Sequence, residues 1–203
     1  MNSITSRILF LLILLLPAGR ACAGDYTLVS SEKGIALYER WITISTGAQA
    51  REIMVVFFAR TTKDHMLWVL QDPDKGKAWN RNVSDYRVLK EPAKTGWTTY
   101  IRYSAPWPVG DQDCCLAYTA GPDGTLYFNS TSEPQFPARG HVTRISGIKG
   151  KWIFQPQSNG QLKITYIITS DKSKSLPRWV TDPIIHKNML KNISVLTTLL
   201  EKP

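Results

Sequence analysis

The feature that most constrains this chain is the order of its hydrophobic patterns. Residues 185–200 place Ile185, Met189, Ile193, Leu196 and Leu200 at i, i+4, i+8, i+11 and i+15, the stripe of an amphipathic helix. Lys187, Lys191 and Glu201 fall largely off that stripe. Upstream the chain is dominated by strand signals. Residues 34–44 and 53–61 are rich in β-branched and aromatic side chains and pair naturally as a hairpin. Residues 63–70 switch to helical spacing, with Thr62 as N-cap and Asp72-Pro73-Asp74 as a stop, and residues 75–83 form a short helical turn or loop. A meander follows, with strands expected at 85–90, 96–105, 113–120, 125–131, 142–155 and 161–170, separated by turn clusters such as Gly121-Pro122-Asp123-Gly124 and Ser158-Asn159-Gly160. A long helix that follows an antiparallel sheet must bury its stripe, and the concave face of that sheet is the surface available. The expected class is α+β, a curved antiparallel β-sheet wrapped around a long C-terminal α-helix.

The first residues speak to destination. Arg7 precedes the unbroken apolar run Ile8 to Leu16, Pro17 closes it, and Ala21-Cys22-Ala23 offers a small-x-small cleavage pattern. Nine apolar residues are less than half of the roughly 20 that span a bilayer. We expect residues 1–23 to be a signal peptide, cut before Gly24. Cys22 as a lipoprotein cysteine is the rival, opposed by Arg20 two positions before it. Residues 24–203 are one domain's worth of chain, long enough to bury a sizeable core. Loss of Arg7 and Arg20 takes the net charge from +9 to +7. That excess either maintains solubility or draws the protein briefly to anionic membrane surfaces; no block of like charge suggests nucleic acid. Cys114 and Cys115 are adjacent, and neighbours in a strand point to opposite faces, so neither a mutual bond nor a disulfide framework is expected.

Chemistry-bearing residues are few. His65, His141 and His186 show no metal-ligand spacing, so no metal is expected. Asp111 and Asp113 share a face as an acid–base pair could, but they flank a turn where Asp commonly caps. A nucleophilic Cys114 or Cys115 would need a histidine partner, and none is visible. Glycine-rich phosphate loops and serine elbows are absent. We expect no cofactor and no enzymatic activity.

Several segments carry a resemblance. Lys33-Gly34-Ile35-Ala36-Leu37-Tyr38-Glu39-Arg40 resembles the opening strand of START lipid-binding domains, and Trp79-Asn80 resembles the close of their second short helix. Tyr86-Arg87-Val88-Leu89 follows at the usual distance, and Pro106-Trp107-Pro108 through Asp113 resembles the family's most specific segment, with Gln112 where an Arg is usual. Any salt bridge made by that Arg is absent or supplied elsewhere. Arg144-Ile145 through Trp152 to Pro156, and Leu176-Pro177-Arg178-Trp179-Val180, complete a resemblance over residues 26–201.

The resemblance implies a helix-grip fold enclosing a tunnel for one lipid or other hydrophobic small molecule. The protein would then be an exported binding or transfer protein; the alternatives are an envelope interaction module with a filled core, or an enzyme using the same cavity. The candidate tunnel residues are Tyr100, Arg102, Tyr118, Tyr166, Trp179, Ile185 and Met189. Along 96–105 two faces are possible. Tyr100, Arg102 and Ser104 share one, and Thr99, Ile101 and Tyr103 the other. Arg102 is a buried cation for an acidic head group in the first case and a solvated charge in the second. Trp107 and Pro108 either shape the tunnel mouth, touch a membrane, or wedge under the sheet.

Overall fold

The computed structural model describes residues 24–90, 96–104, 110–170 and 178–202, with side chains omitted for 178–182. Strand β1 (Thr27–Glu32) turns back on β2 (Ile35–Thr43) through Lys33 and Gly34, both at positive φ (49° and 78°), the mirror-image turn that suits a twisted hairpin. β3 (Gln49–Ala59) pairs with β2. Two helices then carry the chain away from this hairpin: α1 (Lys63–Gln71) and α2 (Pro73–Trp79). Thr62 caps α1 by accepting from the His65 amide, as expected. Asp72 does more than end α1, since its side chain accepts from the amides of Asp74 and Lys75 and Pro73 takes the first turn of α2. The second helix therefore starts two residues earlier than expected.

The meander returns through β4 (Val83–Lys90), β5 (Gly96–Tyr103), β6 (Gln112–Ala120), β7 (Leu126–Ser130), β9 (Ile148–Pro156) and β10 (Leu162–Ser170), and β10 closes on β3. The short β8 (Thr143–Arg144) pairs in parallel with β6, so the expected strand at 142–155 is two elements broken at Gly147, where φ is 75°. The result is one ten-stranded sheet in the order β1-β2-β3-β10-β9-β7-β6-β5-β4, antiparallel but for β8. Sequence alternation missed β1. Its residues TLVSSE are almost all exposed and carry no inward apolar set.

Helix α3 (Arg178–Leu200) lies against β2, β3, α1 and α2. Its stripe is buried unevenly. Ile193 and Leu196 are 0% exposed and Leu200 1%, packed with Leu37, Val55, Phe57, Met66 and Leu70. Each such side chain contributes about 1.5–3 kcal/mol of hydrophobic stabilisation. Ile185 and Met189, on the same stripe, remain partly exposed. Pro183 stands within the helix and, lacking an N–H, cannot donate the usual intrahelical bond. Among the described residues no helix is long and apolar enough to cross a membrane. The expected cap at Ser175 and Pro177, and the loop residues Trp107 and Pro108, lie outside the described residues.

Candidate functional site

Register decides which side chains meet. Trp97 pairs with Tyr118, Thr99 with Leu116 and Ile101 with Cys114, so Trp97, Thr99, Ile101 and Tyr103 share the inner, helix-facing side of β5. A ladder of rings crosses this inner face. Trp97 stacks on Tyr118 with centroids 4.7 Å apart, Tyr118 meets Phe128 at 5.5 Å, and Phe128 meets Tyr166 at 5.8 Å. Tyr166 in turn stacks on Trp152 at 4.1 Å, and Trp79 of α2 meets Trp152 edge-on at 6.3 Å. Phe128 reaches Tyr166 because its cross-strand partner is Gly150, whose missing side chain leaves room for the ring.

Tyr118 and Tyr166 keep 7% and 9% of their surface accessible in the middle of the inner face, and Tyr103 keeps more. Burial pushes all three phenols well above their ordinary range, and the neighbouring phenols and the Cys114 thiol push in the same direction. All three are therefore neutral hydrogen-bonding groups at physiological pH. Tyr86 donates to the carbonyl of Leu70 at 2.9 Å, whereas the hydroxyls of Tyr103, Tyr118 and Tyr166 have no hydrogen-bond partner among the described residues. Their accessible edges, like those of Ile185 and Met189, belong to side chains that the sheet and helix do not fully fill.

Of the expected tunnel residues, Tyr118 and Tyr166 are joined by the ring ladder, and Ile185 and Met189 pack at the edge of the same core. The side chain of Trp179 lies outside the described residues. Tyr100 and Arg102 require a correction, because register places both on the outer face. Arg102 pairs there with Asp111 at 2.8 Å, and Tyr100 donates to Asp113 at 3.1 Å and stacks on Phe136. An arginine inside would have lacked a counter-charge, whereas outside it finds one with both side chains about 30% exposed.

Asp113 is wholly buried and is held by Arg144 through two hydrogen bonds, of 2.6 and 3.0 Å. Arg144 also donates to the Phe136 carbonyl, tying β6, β8 and the loop before β8 together. It thus supplies the cation that Gln112 does not. Each of Asp111 and Asp113 is engaged by its own arginine. Cys114 and Cys115 are buried free thiols on opposite faces, and burial pushes Cys114 up to about 12.

One inward polar cluster was not anticipated. Glu39 accepts an ion pair from Arg51 at 2.9 Å and lies 2.6 Å from His186 Nε2 on α3, with all three side chains under 20% exposed. Cross-strand charges on β2 and β3 were visible in the sequence, but which members of Glu39-Arg40 and Arg51-Glu52 face inward depends on register. A groove of 560 Å³ opens beside His186, between the β1–β2 turn and α3, lined by Val29, Lys33, Ile35, Leu190 and Lys191 among others. Among the described residues no three His, Cys, Asp or Glu side chains gather as metal ligands.

Comparison with known proteins settles the family. The pattern of the START domain matches residues 28–202. The chain belongs to the START domain family. An uncharacterized protein of Pseudomonas aeruginosa is 25% identical over 189 residues, spanning 91% of either chain. The START domain-containing protein 10 of Homo sapiens is 26% identical over 117 residues, 56% of this chain and 40% of that one. Among solved structures, a STAR-related lipid transfer protein fragment from Xanthomonas axonopodis superposes with a TM-score of 0.70 at 25% identity, covering 86% of this chain and 98% of that one. Human STARD10 shares the fold at a TM-score of 0.64 and 19% identity, over 84% and 72% of the two chains. The curved antiparallel sheet closed by a C-terminal helix is therefore the START helix-grip fold.

Proposed function

We propose that this START domain is an exported, soluble carrier that holds one lipid between the inner face of its sheet and the first half of α3. The observation that carries this reading is the incomplete filling around Tyr103, Tyr118, Tyr166, Ile185 and Met189, where three phenol hydroxyls have no hydrogen-bond partner among the described residues. Neutral hydroxyls that stay accessible among packed rings fit a partner that comes from outside the chain. The family and the lipid-transfer proteins that share this fold point the same way. Residues 1–23 act as a cleaved leader, and the basic excess of the remainder draws the carrier to anionic membrane surfaces during loading and release.

Mass spectrometry of the protein purified from its native host tests both parts. A mature N-terminus at Gly24 and a lipid that co-purifies in equimolar amount are expected. An empty protein that displaces no fluorescent lipid probe would sink the carrier reading and favour an interaction module with a filled core. A diacylated Cys22 would sink the soluble form alone.

A further inference from the structure

The five consecutive strands β5, β6, β7, β9 and β10 contain charged residues at Arg102, Asp113, Lys149, Lys151 and Lys163. In the observed register every one of them lies on the outer face. The inner face of these strands is therefore free of ionised side chains. It is not free of polar atoms. It carries the hydroxyls of Tyr103, Tyr118 and Tyr166, without partners among the described residues, and the buried indole N–H of Trp152, with that of Trp79 beside it on α2. All five can donate a hydrogen bond, and none bears a charge.

Resting on the carrier reading above, we propose that the ligand is an uncharged lipid whose hydroxyl or carbonyl oxygens are held by Tyr103, Tyr118 and Tyr166. A carboxylate or phosphate placed among these rings would leave water for a sheet face with no opposite charge among the described residues, at a cost that neutral donors only partly offset. Among the described residues, the groups that push the three phenols up besides burial are one another, Tyr86 and the Cys114 thiol. The ionised groups that do face inward, Glu39 and Arg51 with His186, sit on β2, β3 and α3 and are engaged with one another. An uncharged oxygen meets no such penalty, and the phenols of Tyr118 and Tyr166 are pinned by ring stacking and lose little freedom on binding. The expected class is thus a neutral glyceride, a long-chain or polycyclic alcohol, or a quinone-like carbonyl lipid.

The test compares lipids of equal chain length against the mature protein by tryptophan fluorescence titration and native mass spectrometry. The probes are monooleoylglycerol, oleate at pH 8, and vesicles of dioleoyl phosphatidylglycerol. Monooleoylglycerol is expected to bind at least about tenfold tighter than oleate. Tyr118→Phe and Tyr166→Phe keep their rings and should each weaken it about five- to tenfold, the scale of one buried hydrogen bond. Tyr103→Phe, on the same inner face but outside the ladder, provides a third variant should either of these disturb the fold. Oleate or phosphatidylglycerol binding as tightly as monooleoylglycerol, or folded Phe variants binding it unchanged, would overturn the neutral-lipid inference while leaving a lipid carrier. Failure of all three probes to bind the parent protein would remove the carrier reading and this inference with it.

Discussion

The ring of Phe128 occupies the place that a side chain on its cross-strand partner Gly150 would take. A Cβ at Gly150 would collide with that ring and, on the other side, with the backbone carbonyl of Ile167. Gly150→Ala is therefore expected to cost about 3 kcal/mol, the upper range for overpacking a core. Trimming the ring in Gly150→Ala/Phe128→Leu should not restore the loss, because the Ile167 carbonyl belongs to the ladder and cannot move aside. Urea denaturation of the two variants checks both statements.

Met189→Trp separates a partly filled interior from a solid one. Met189 is only partly buried although it shares a stripe with fully buried Ile193 and Leu196. The larger ring should cost well under the roughly 1–3 kcal/mol of overpacking a dense core. Uptake of a fluorescent lipid should fall sharply. A large stability loss with uptake intact would place Met189 against the sheet rather than the ligand.

The two arginine–aspartate pairs of the outer face should behave differently. Arg102→Met removes a half-exposed pair and is expected to change stability by less than about 1 kcal/mol and lipid binding not at all. Arg144→Met strands the fully buried carboxylate of Asp113 and should cost about 3–5 kcal/mol. Thermal melts of both variants, with lipid titration of the first, give the comparison.

Acid should expose another pair. Burial alone would raise the Glu52 carboxyl, but hydrogen bonds from Tyr26, Arg40 and Thr169, with the Arg40 charge, outweigh it and hold the group below its ordinary value. A depressed carboxylate stabilises the fold above its unfolded-state value of 4.5 and loses that contribution as pH falls through the folded-state value. Glu52→Gln should therefore lower the melting temperature at pH 7 and make little difference near pH 3.

Cys114 and Cys115 should resist an aromatic disulfide reagent at pH 8 in the folded protein and both react after unfolding. Burial removes access and disfavours the thiolate at each. Prompt reaction of either in the native state would contradict the packing.

Much of the fold was legible because its signals are local. The apolar stripe from Ile185 to Leu200, the Thr62 cap and the alternation through Leu162, Ile164 and Tyr166 each depend on neighbours in sequence. β1 was illegible because a polar edge strand is defined by its partner, through the Lys33-Gly34 turn, rather than by its own side chains. The site was only half legible for a related reason. Tyr118 and Tyr166 were readable as inward from their apolar neighbours. The strand bearing Tyr100 and Arg102 has aromatic residues on both faces, and only its pairing with β6, whose Asp113 meets Arg144 of β8 on the outer side, decides between them. The inward trio of Glu39, Arg51 and His186 spans 147 positions of sequence and has no local signature.

Because α3 is anchored by Ile193, Leu196 and Leu200 while Ile185 and Met189 are only partly buried, the two stretches of its stripe tolerate change differently. Ile193, Leu196 and Leu200 are committed to the core shared with α1, β2 and β3, so substitutions there cost folding stability. Ile185 and Met189, like the hydroxyls of Tyr103, Tyr118 and Tyr166, contribute little to that core. Under the proposed carrier function, altering those few positions would change the cargo while the scaffold stays the same.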